Sequence, residues 1–213
     1  MSTVSARPGR VLLEDVSWHT YSRLVRAFDG RRSTRLTYDR GALEITTLSA
    51  ERESHSRFLG RLLVTLTEEL GLPVMGGGSA TLRSHRKHRG LEPENCFWIV
   101  SEARVRGKRK IDLDVDPPPD LAIEIDVTHS SLPRLDIYAA LGVPEVWRFD
   151  GEDLTIHLLG PDGEYVESAS SPTFPGVKPR DLVRFMNMRF RAEENSVIRQ
   201  FRAWVRERIV DGK

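Results

Sequence analysis

A mixed α/β (α+β) fold is what this sequence predicts, and three patterns carry the prediction. Phe58, Leu59, Leu62, Leu63, Leu66 and Leu70 recur at helical spacing and make one apolar stripe. Asp120 to Val127 alternates between apolar and polar residues, the period of a strand. Strand patterns joined by short turns, as in RLTYDRGALEI, predict hairpins beside these elements. Helices mixed with consecutive hairpins point to α+β or mixed α/β layers.

Taken in order, Ser17 can N-cap a short helix through about Phe28, with Leu24, Val25 and Phe28 at helical spacing. Leu36 and Tyr38 lead into a turn at Asp39-Arg40-Gly41, and Leu43 and Ile45 lead out of it. The long helix is expected from Glu51 to Leu70, ended by Gly71 and Pro73. Strand-like pieces follow: PVMGGGSATLR, CFWIVSEARV and KIDLDV. Pro117 to Pro119 stiffen the approach to DLAIEIDV. A helix from Leu132 to Leu141 turns Leu135, Tyr138 and Leu141 inward and stops at Gly142 and Pro144. EVWRFD and LTIHLL read as a hairpin about Gly151-Glu152-Asp153, SPTFPGVKPRD as a loop, and Glu193 to Val210 as a terminal helix.

The chain has 213 residues, and 32 Lys+Arg against 31 Asp+Glu leave a net charge of +1. One domain spanning 1–213 is the expectation at this length, with a core at about 36–159 and a C-terminal extension at 160–213. No run of about 18 apolar residues exists to span a membrane. The segment MSTVSARPGR lacks the apolar core of a secretory signal. Cys96 is the single cysteine, which excludes an intramolecular disulfide framework and a cysteine-rich zinc site and fits the cytoplasm.

The most informative stretch is Asp120 to Val127. Alternation puts Leu121, Ile123, Ile125 and Val127 on a core face, and Asp120, Ala122, Glu124 and Asp126 on the other. Like charges in succession are unfavourable unless the face is solvated or a cation lies between them. A solvated sheet face, as in IDLDVD, is one reading; carboxylate oxygens are also the ligands hard Mg²⁺ prefers. Upstream, GLEPENCFWI would put Glu94, Cys96 and Trp98 on one face, with Glu94 able to approach Glu124 from a neighbouring strand.

These residues resemble the Uma-two family of restriction endonucleases, within the PD-(D/E)XK nuclease superfamily. PPPDLAIEIDVTHSS, IYAALGVPEVWRFD, GLEPENCFWI and ERESHSRFLGRLL carry the resemblance, spanning about Leu36 to Leu159. Trp147 is the signature's core aromatic and Gly142 its helix C-cap. The resemblance implies a restriction-endonuclease-like core: a mixed central sheet of four or five strands flanked by helices. It also implies a Mg²⁺-dependent DNA endonuclease (Mn²⁺ substituting), acting on DNA as a homodimer. Carried over, Glu94 stands at the family's upstream Asp, Asp120 at the second Pro-Asp, Glu124 at the strand Glu, and Arg134 at the helix lysine. Asp126 is an added acid where many members are apolar. The implied metal ligands are Glu94, Asp120, Glu124 and Asp126, and the catalytic set is Asp120, Glu124, Arg134, Glu94 and His55. Arginine cannot give up its proton near neutrality, so Arg134 could offset phosphate charge but not act as a base. A catalytically weakened nucleic-acid-binding protein of the same fold is therefore the alternative. Glu51 and His55, four apart, share a helix face; His55 divides evenly between a contribution to the site and a satisfied boundary residue.

Two basic runs are candidate phosphate contacts. RSHRKHR contains Arg83, Arg86, Lys87 and Arg89, and RVRGKRK contains Arg104, Arg106, Lys108, Arg109 and Lys110. Both flank the Glu94 strand, so they are expected near the cleft mouth; solvated loops are the other reading. The FRAWVRER helix is expected to pack against the domain or a dimer partner. GGGSA lacks the GK[ST] ending of a Walker loop, and no GxSxG elbow supports serine hydrolysis. An interaction module with a merely solvated acidic strand is the reading of another class.

Overall fold

The computed structural model describes residues 4–7, 9–28, 33–126 and 130–210. The elements, in chain order, are β1 (Val4–Arg7), β2 (Arg10–Leu13), α1 (Trp18–Phe28), β3 (Thr34–Asp39), β4 (Ala42–Thr47), α2 (Ala50–Glu69), β5 (Met75–Gly76), β6 (Leu82–Ser84) and β7 (Arg89–Leu91). They continue with β8 (Asn95–Trp98), α3 (Glu102–Val105), β9 (Leu121–Ile125), α4 (Arg134–Leu141), β10 (Glu145–Phe149), β11 (Leu154–Leu159) and β12 (Tyr165–Ser168). Helices α5 (Pro179–Met188) and α6 (Glu194–Val205) follow, and α6 runs into a π-helical turn, Arg206–Val210.

The described strands form two six-stranded sheets. One is antiparallel throughout, in the order β1-β2-β4-β3-β7-β6. The other, β12-β11-β10-β9-β8-β5, is mixed: β9 and β10 are parallel and the remaining pairs antiparallel. A parallel pair needs a crossover, and α4 supplies it between β9 and β10.

Helix α2 forms because Ser49 caps it, its side chain accepting from Arg52 N, while Glu51 and Glu53 favour its N-terminal dipole. Its stripe of Phe58, Leu59, Leu62, Leu63 and Leu66 packs with Leu121, Ile123 and Ile125 of β9 and with Trp147, and α5 and α6 close the same cluster. Each large side chain buried this way stabilises the fold by roughly 1.5–3 kcal/mol. Ala122, Cys96, Trp98 and Val146 form the opposite face of the mixed sheet, packed under Ile137, Tyr138 and Leu141 of α4. Helix α4 ends at Gly142, whose φ of 81° is the left-handed cap conformation that glycine adopts without strain. A third cluster, Tyr21, Leu36, Tyr38 and Leu43, lies between α1 and the antiparallel sheet. Ser17 accepts from Thr20 N at 3.1 Å at the start of α1, as its capping role requires.

Five differences from the sequence reading have local causes. CFWIVSEARV is a strand only through Trp98, and its SEARV end turns into α3. KIDLDV is a turn, not a strand: Asp112 Oδ1 accepts from Asp114 N and Asp116 Oδ2 from Asp112 N, so side chains take the backbone donors that a ladder needs. PVMGGGSATLR splits into β5 and β6, which join different sheets. The expected loop at SPTFPGVKPRD ends in α5, started by Pro179 at its first position and by Asp181 accepting from Lys178 N. β1, β2 and β12 are strands too short for a visible alternation. Val127, expected as the last core-facing residue of β9, lies outside the described residues.

Candidate active site

Carboxylates and guanidiniums converge on a cavity of about 350 Å³ at the end of β9, between the two sheets. Glu124 and Asp126 reach it from β9 and the residue after it, Glu92 and Glu94 from the segment entering β8, and Arg134 and Tyr138 from α4. Arg52 enters from the first turn of α2, and Arg10, Arg35 and Glu44 from the antiparallel sheet.

Strand pairing brings the two central glutamates together. The β8–β9 register runs Phe97↔Leu121, Cys96↔Ala122, Asn95↔Ile123; carried one residue further, it sets Glu94 beside Glu124. Glu94 is 6% and Glu124 5% exposed. Glu94 Oε1 accepts from Arg52 at 2.8 Å, and its backbone carbonyl accepts from Ser56 at 3.2 Å. Glu94 Oε2 is buried with no hydrogen-bond donor, Arg35 being 3.8 Å away. Burial pushes the Glu94 carboxyl above the usual range; Arg52 pulls it back and the Glu124 charge adds to the rise.

Glu124 Oε1 accepts from Arg134 at 2.6 Å and from the Tyr138 hydroxyl. Arg134 also donates to Thr37 Oγ1 at 2.5 Å and to the Glu92 carbonyl at 2.9 Å, tying α4 to both sheets. Burial opposes its charge, but Glu124, Tyr138 and Glu94 together more than offset this and hold the guanidinium protonated well above the ordinary arginine value. Burial, reinforced by Glu124, likewise raises the Tyr138 phenol. Asp126 pairs with Arg148, from the residue opposite Glu124 on β10. The Glu92 carboxylate accepts from Leu36 N and Thr81, both at 2.9 Å, and burial raises its pKa.

Of the expected metal set, the structure brings Glu94, Glu124 and Asp126 to one cavity and leaves Asp120 out. Asp120 lies four residues from Glu124, roughly 13 Å along the strand, beyond reach of a shared ion. Its Oδ2 accepts from Ile99 N at 2.6 Å, Ser101 N at 3.0 Å and Ser101 Oγ at 2.9 Å, so it pins the turn after β8. The expected catalytic and metal role of Asp120 is thereby corrected to a structural one. Among the described residues no group of three or more His, Cys, Asp or Glu side chains could hold a metal, so the four-carboxylate set does not close.

Of the two readings of His55, the structure favours the satisfied boundary residue over the catalytic one. It is absent from the cavity wall; its Nδ1 accepts from Arg189 at 2.6 Å, and its ring packs 5.0 Å from Phe149. Burial first, then the Arg189 charge, lowers its pKa, and it acts as a packing residue against Phe149. The helix turn that serves the cavity is Arg52 and Ser56, one residue on from Glu51 and His55.

None of the nine expected DNA-contact residues lines the cavity. Arg83 to Arg89 spans the β6–β7 hairpin, where Lys87 donates to the Ala140 carbonyl and Arg89 to Asp39 and the Asp136 carbonyl. In the second run Arg106 pairs with Glu102 and Lys108 with Asp116. The cations at the cavity that went unnoticed are Arg10, Arg35, Arg52 and Arg148. Their signal was polar residues on otherwise well-patterned elements: Arg35 and Thr37 alternate with buried Leu36 and Tyr38 on β3, and Arg52 and Ser56 are one helical turn apart. Glu44 was missed as well; it accepts from Ser130 Oγ and Ser131 N, both at 2.7 Å, and so holds the entry to α4.

A divalent cation fits this arrangement in its chemistry. Mg²⁺ takes one or two carboxylates and keeps its remaining ligands as water. Glu94 and Glu124 supply two carboxylates side by side, one with a buried oxygen that lacks a donor.

A mixed sheet flanked by helices, with acidic residues meeting where β8 begins and β9 ends, is a restriction-endonuclease-like fold. Residues 18–186 match the sequence model of the family described as "Uma2: Putative restriction endonuclease", and the chain belongs to that family. The match reaches beyond 36–159 at both ends and takes in α1 and most of α5. No curated protein matches the chain. Among the described residues, no helix is long and apolar enough to cross a membrane.

Proposed function

We propose that this protein is a metal-dependent DNA endonuclease in which Glu94 and Glu124 hold one divalent cation, Mg²⁺ or Mn²⁺. The observation that supports the reading best is the side-by-side glutamate pair at the cavity, with the donor-free buried Oε2 of Glu94. A cation bound there would supply a water of lowered pKa and positive charge beside a nonbridging phosphate oxygen.

The chain's own residues do the positioning. Arg134 is braced by Thr37, the Glu92 carbonyl and Glu124, so its charge is fixed where charge develops on the scissile phosphate. It stays protonated throughout and takes no part as a base. Arg52, by pairing with Glu94, and Tyr138, by holding Glu124, set the direction of the two carboxylates, while Ser56 anchors the Glu94 backbone. Leu132, Pro133 and Leu135 form an apolar part of the wall, which strengthens electrostatic interactions inside.

A specific observation favours a second reading, a catalytically weakened nucleic-acid-binding protein. Both glutamates already have cationic partners without a metal, Arg52 for Glu94 and Arg134 for Glu124. Calorimetric titration of Mn²⁺ into the wild type and Glu124→Gln, beside supercoiled-plasmid cleavage by both, separates the two. The nuclease reading expects a single metal site and nicking, both lost in Glu124→Gln. Salt-sensitive DNA binding with neither metal uptake nor nicking would replace it with the second.

A further inference from the structure

The basic β6–β7 hairpin carries two histidines that the cavity does not use, and α1 meets them with a tryptophan. Trp18 stacks on His85 with centroids 5.5 Å apart and planes at 27°, and meets His88 edge-on at 5.7 Å. His85 and His88 are themselves 5.4 Å apart. Both imidazoles are exposed, and Trp18 is half-buried.

Below, the rings are fixed. Trp18 packs against Tyr21 at 5.1 Å and Tyr38 at 5.5 Å. Those two tyrosines, 0% and 2% exposed, stack on each other at 4.7 Å and 9°. The hairpin is tied down on both sides: Arg40 N donates to the His88 carbonyl at 3.0 Å, and Asp114 accepts from Ser84 Oγ at 2.5 Å and His85 N at 3.1 Å. The exposed rings therefore need no ordering before they meet a ligand.

Charge surrounds the rings. Arg86 and Lys87 are exposed beside them, and Lys87 donates to the Ala140 carbonyl. Arg40 and Arg89 share the single carboxylate of Asp39. Exposed planar rings with cations alongside match the chemistry of an unpaired nucleotide: the base for the rings, the phosphate for the guanidinium and ammonium groups.

We infer that the Trp18–His85–His88 cluster is a stacking platform for an unpaired base of a nucleic-acid strand, whose phosphates contact Arg86 and Lys87. The inference rests on the nuclease reading for its choice of polymer and narrows the substrate to strands with unpaired bases. A duplex keeps its bases stacked inside and could offer this surface only phosphates.

The test is equilibrium binding by the full-length protein in EDTA, where no cleavage occurs, of a fluorescein-labelled single strand and of the same strand annealed to its complement. Intrinsic tryptophan fluorescence is followed in parallel. The single strand is expected to bind more tightly and to change the tryptophan fluorescence, a change lost in Trp18→Phe, and His85→Ala is expected to weaken binding roughly tenfold, the scale of one base–aromatic stack. His85→Tyr should restore affinity, because the ring and not the imidazole does the work. His85 is exposed, so neither variant endangers folding. Equal affinity for both substrates, or indifference to His85→Ala with loss only in Arg86→Glu, would reduce the platform to phosphate contact and overturn the inference. Metal-dependent cleavage is measured separately, so the platform and the nuclease reading fail independently.

Discussion

Asp120 and Glu124 sit at the two ends of one strand, on the side that alternation assigns to both, yet the chain uses them in opposite ways. Asp120 is surrounded by neutral donors, two backbone amides and a hydroxyl, which satisfy a carboxylate without giving it a task. Glu124 meets a guanidinium, a phenol and a second glutamate beside it at a cavity, an arrangement that keeps the charges coupled. What distinguishes the two ends is the supply of donors. A carboxylate at a turn meets backbone amides, whereas one at a junction of two sheets and a helix meets long side chains from all three.

Four measurements break or sharpen that contrast. The largest effect belongs to Glu124→Gln, expected to reduce metal-dependent plasmid nicking at least about a hundredfold with circular dichroism unchanged. Nicking at the wild-type rate would move the chemistry elsewhere. Asp120→Ala should do the reverse. By stranding two amides and a hydroxyl, it should cost roughly 3 kcal/mol in urea unfolding while nicking per folded molecule is kept. A stable variant without activity would return Asp120 to the site.

Arg134→Lys comes next. A lysine keeps the charge but not the fork that reaches Thr37, Glu92 and Glu124 together, so unfolding should be easier by about 2 kcal/mol and nicking slower. Faster nicking would assign that position to water activation. The smallest effect concerns pH. Because burial raises the Glu94 carboxyl, a proton competes with the cation at pH values where an ordinary glutamate would be free. Mn²⁺ affinity is therefore expected to rise with pH through that raised titration and to level off above it. The same group binds protons more readily folded than unfolded, so its contribution to stability falls as pH rises through the same window. Affinity that is flat from acid to neutral pH would exclude Glu94 as a ligand.

Much of the architecture was legible. The α2 stripe, the core face of β9, the Ser17 cap and the Gly142 stop each depend on neighbours within a few residues, and each lies where periodicity put it. Glu94 and Glu124 were legible as a pair because cross-strand contact follows from alternation once two strands are adjacent. Asp120 was misplaced and His55 left undecided for one reason: sequence assigns a face but not what stands opposite it. Asp120 found the Ile99–Ser101 turn, and His55 found Arg189, more than a hundred residues away in sequence. KIDLDV failed differently, since alternation cannot tell a strand from a turn whose aspartates consume its own amides.

By itself the sequence determined the fold class, the family and the two glutamates, because helical stripes, strand alternation and ordered motifs are local properties of the chain. The tertiary structure decided that Arg10, Arg35, Arg52 and Arg148 join Arg134 at the cavity, that the basic runs stay off its wall, and that Trp18 meets His85. These depend on which of several equally charged side chains a sheet junction brings within a few ångströms. Charge and hydropathy patterns hold no information about that distance, and only packing fixes it.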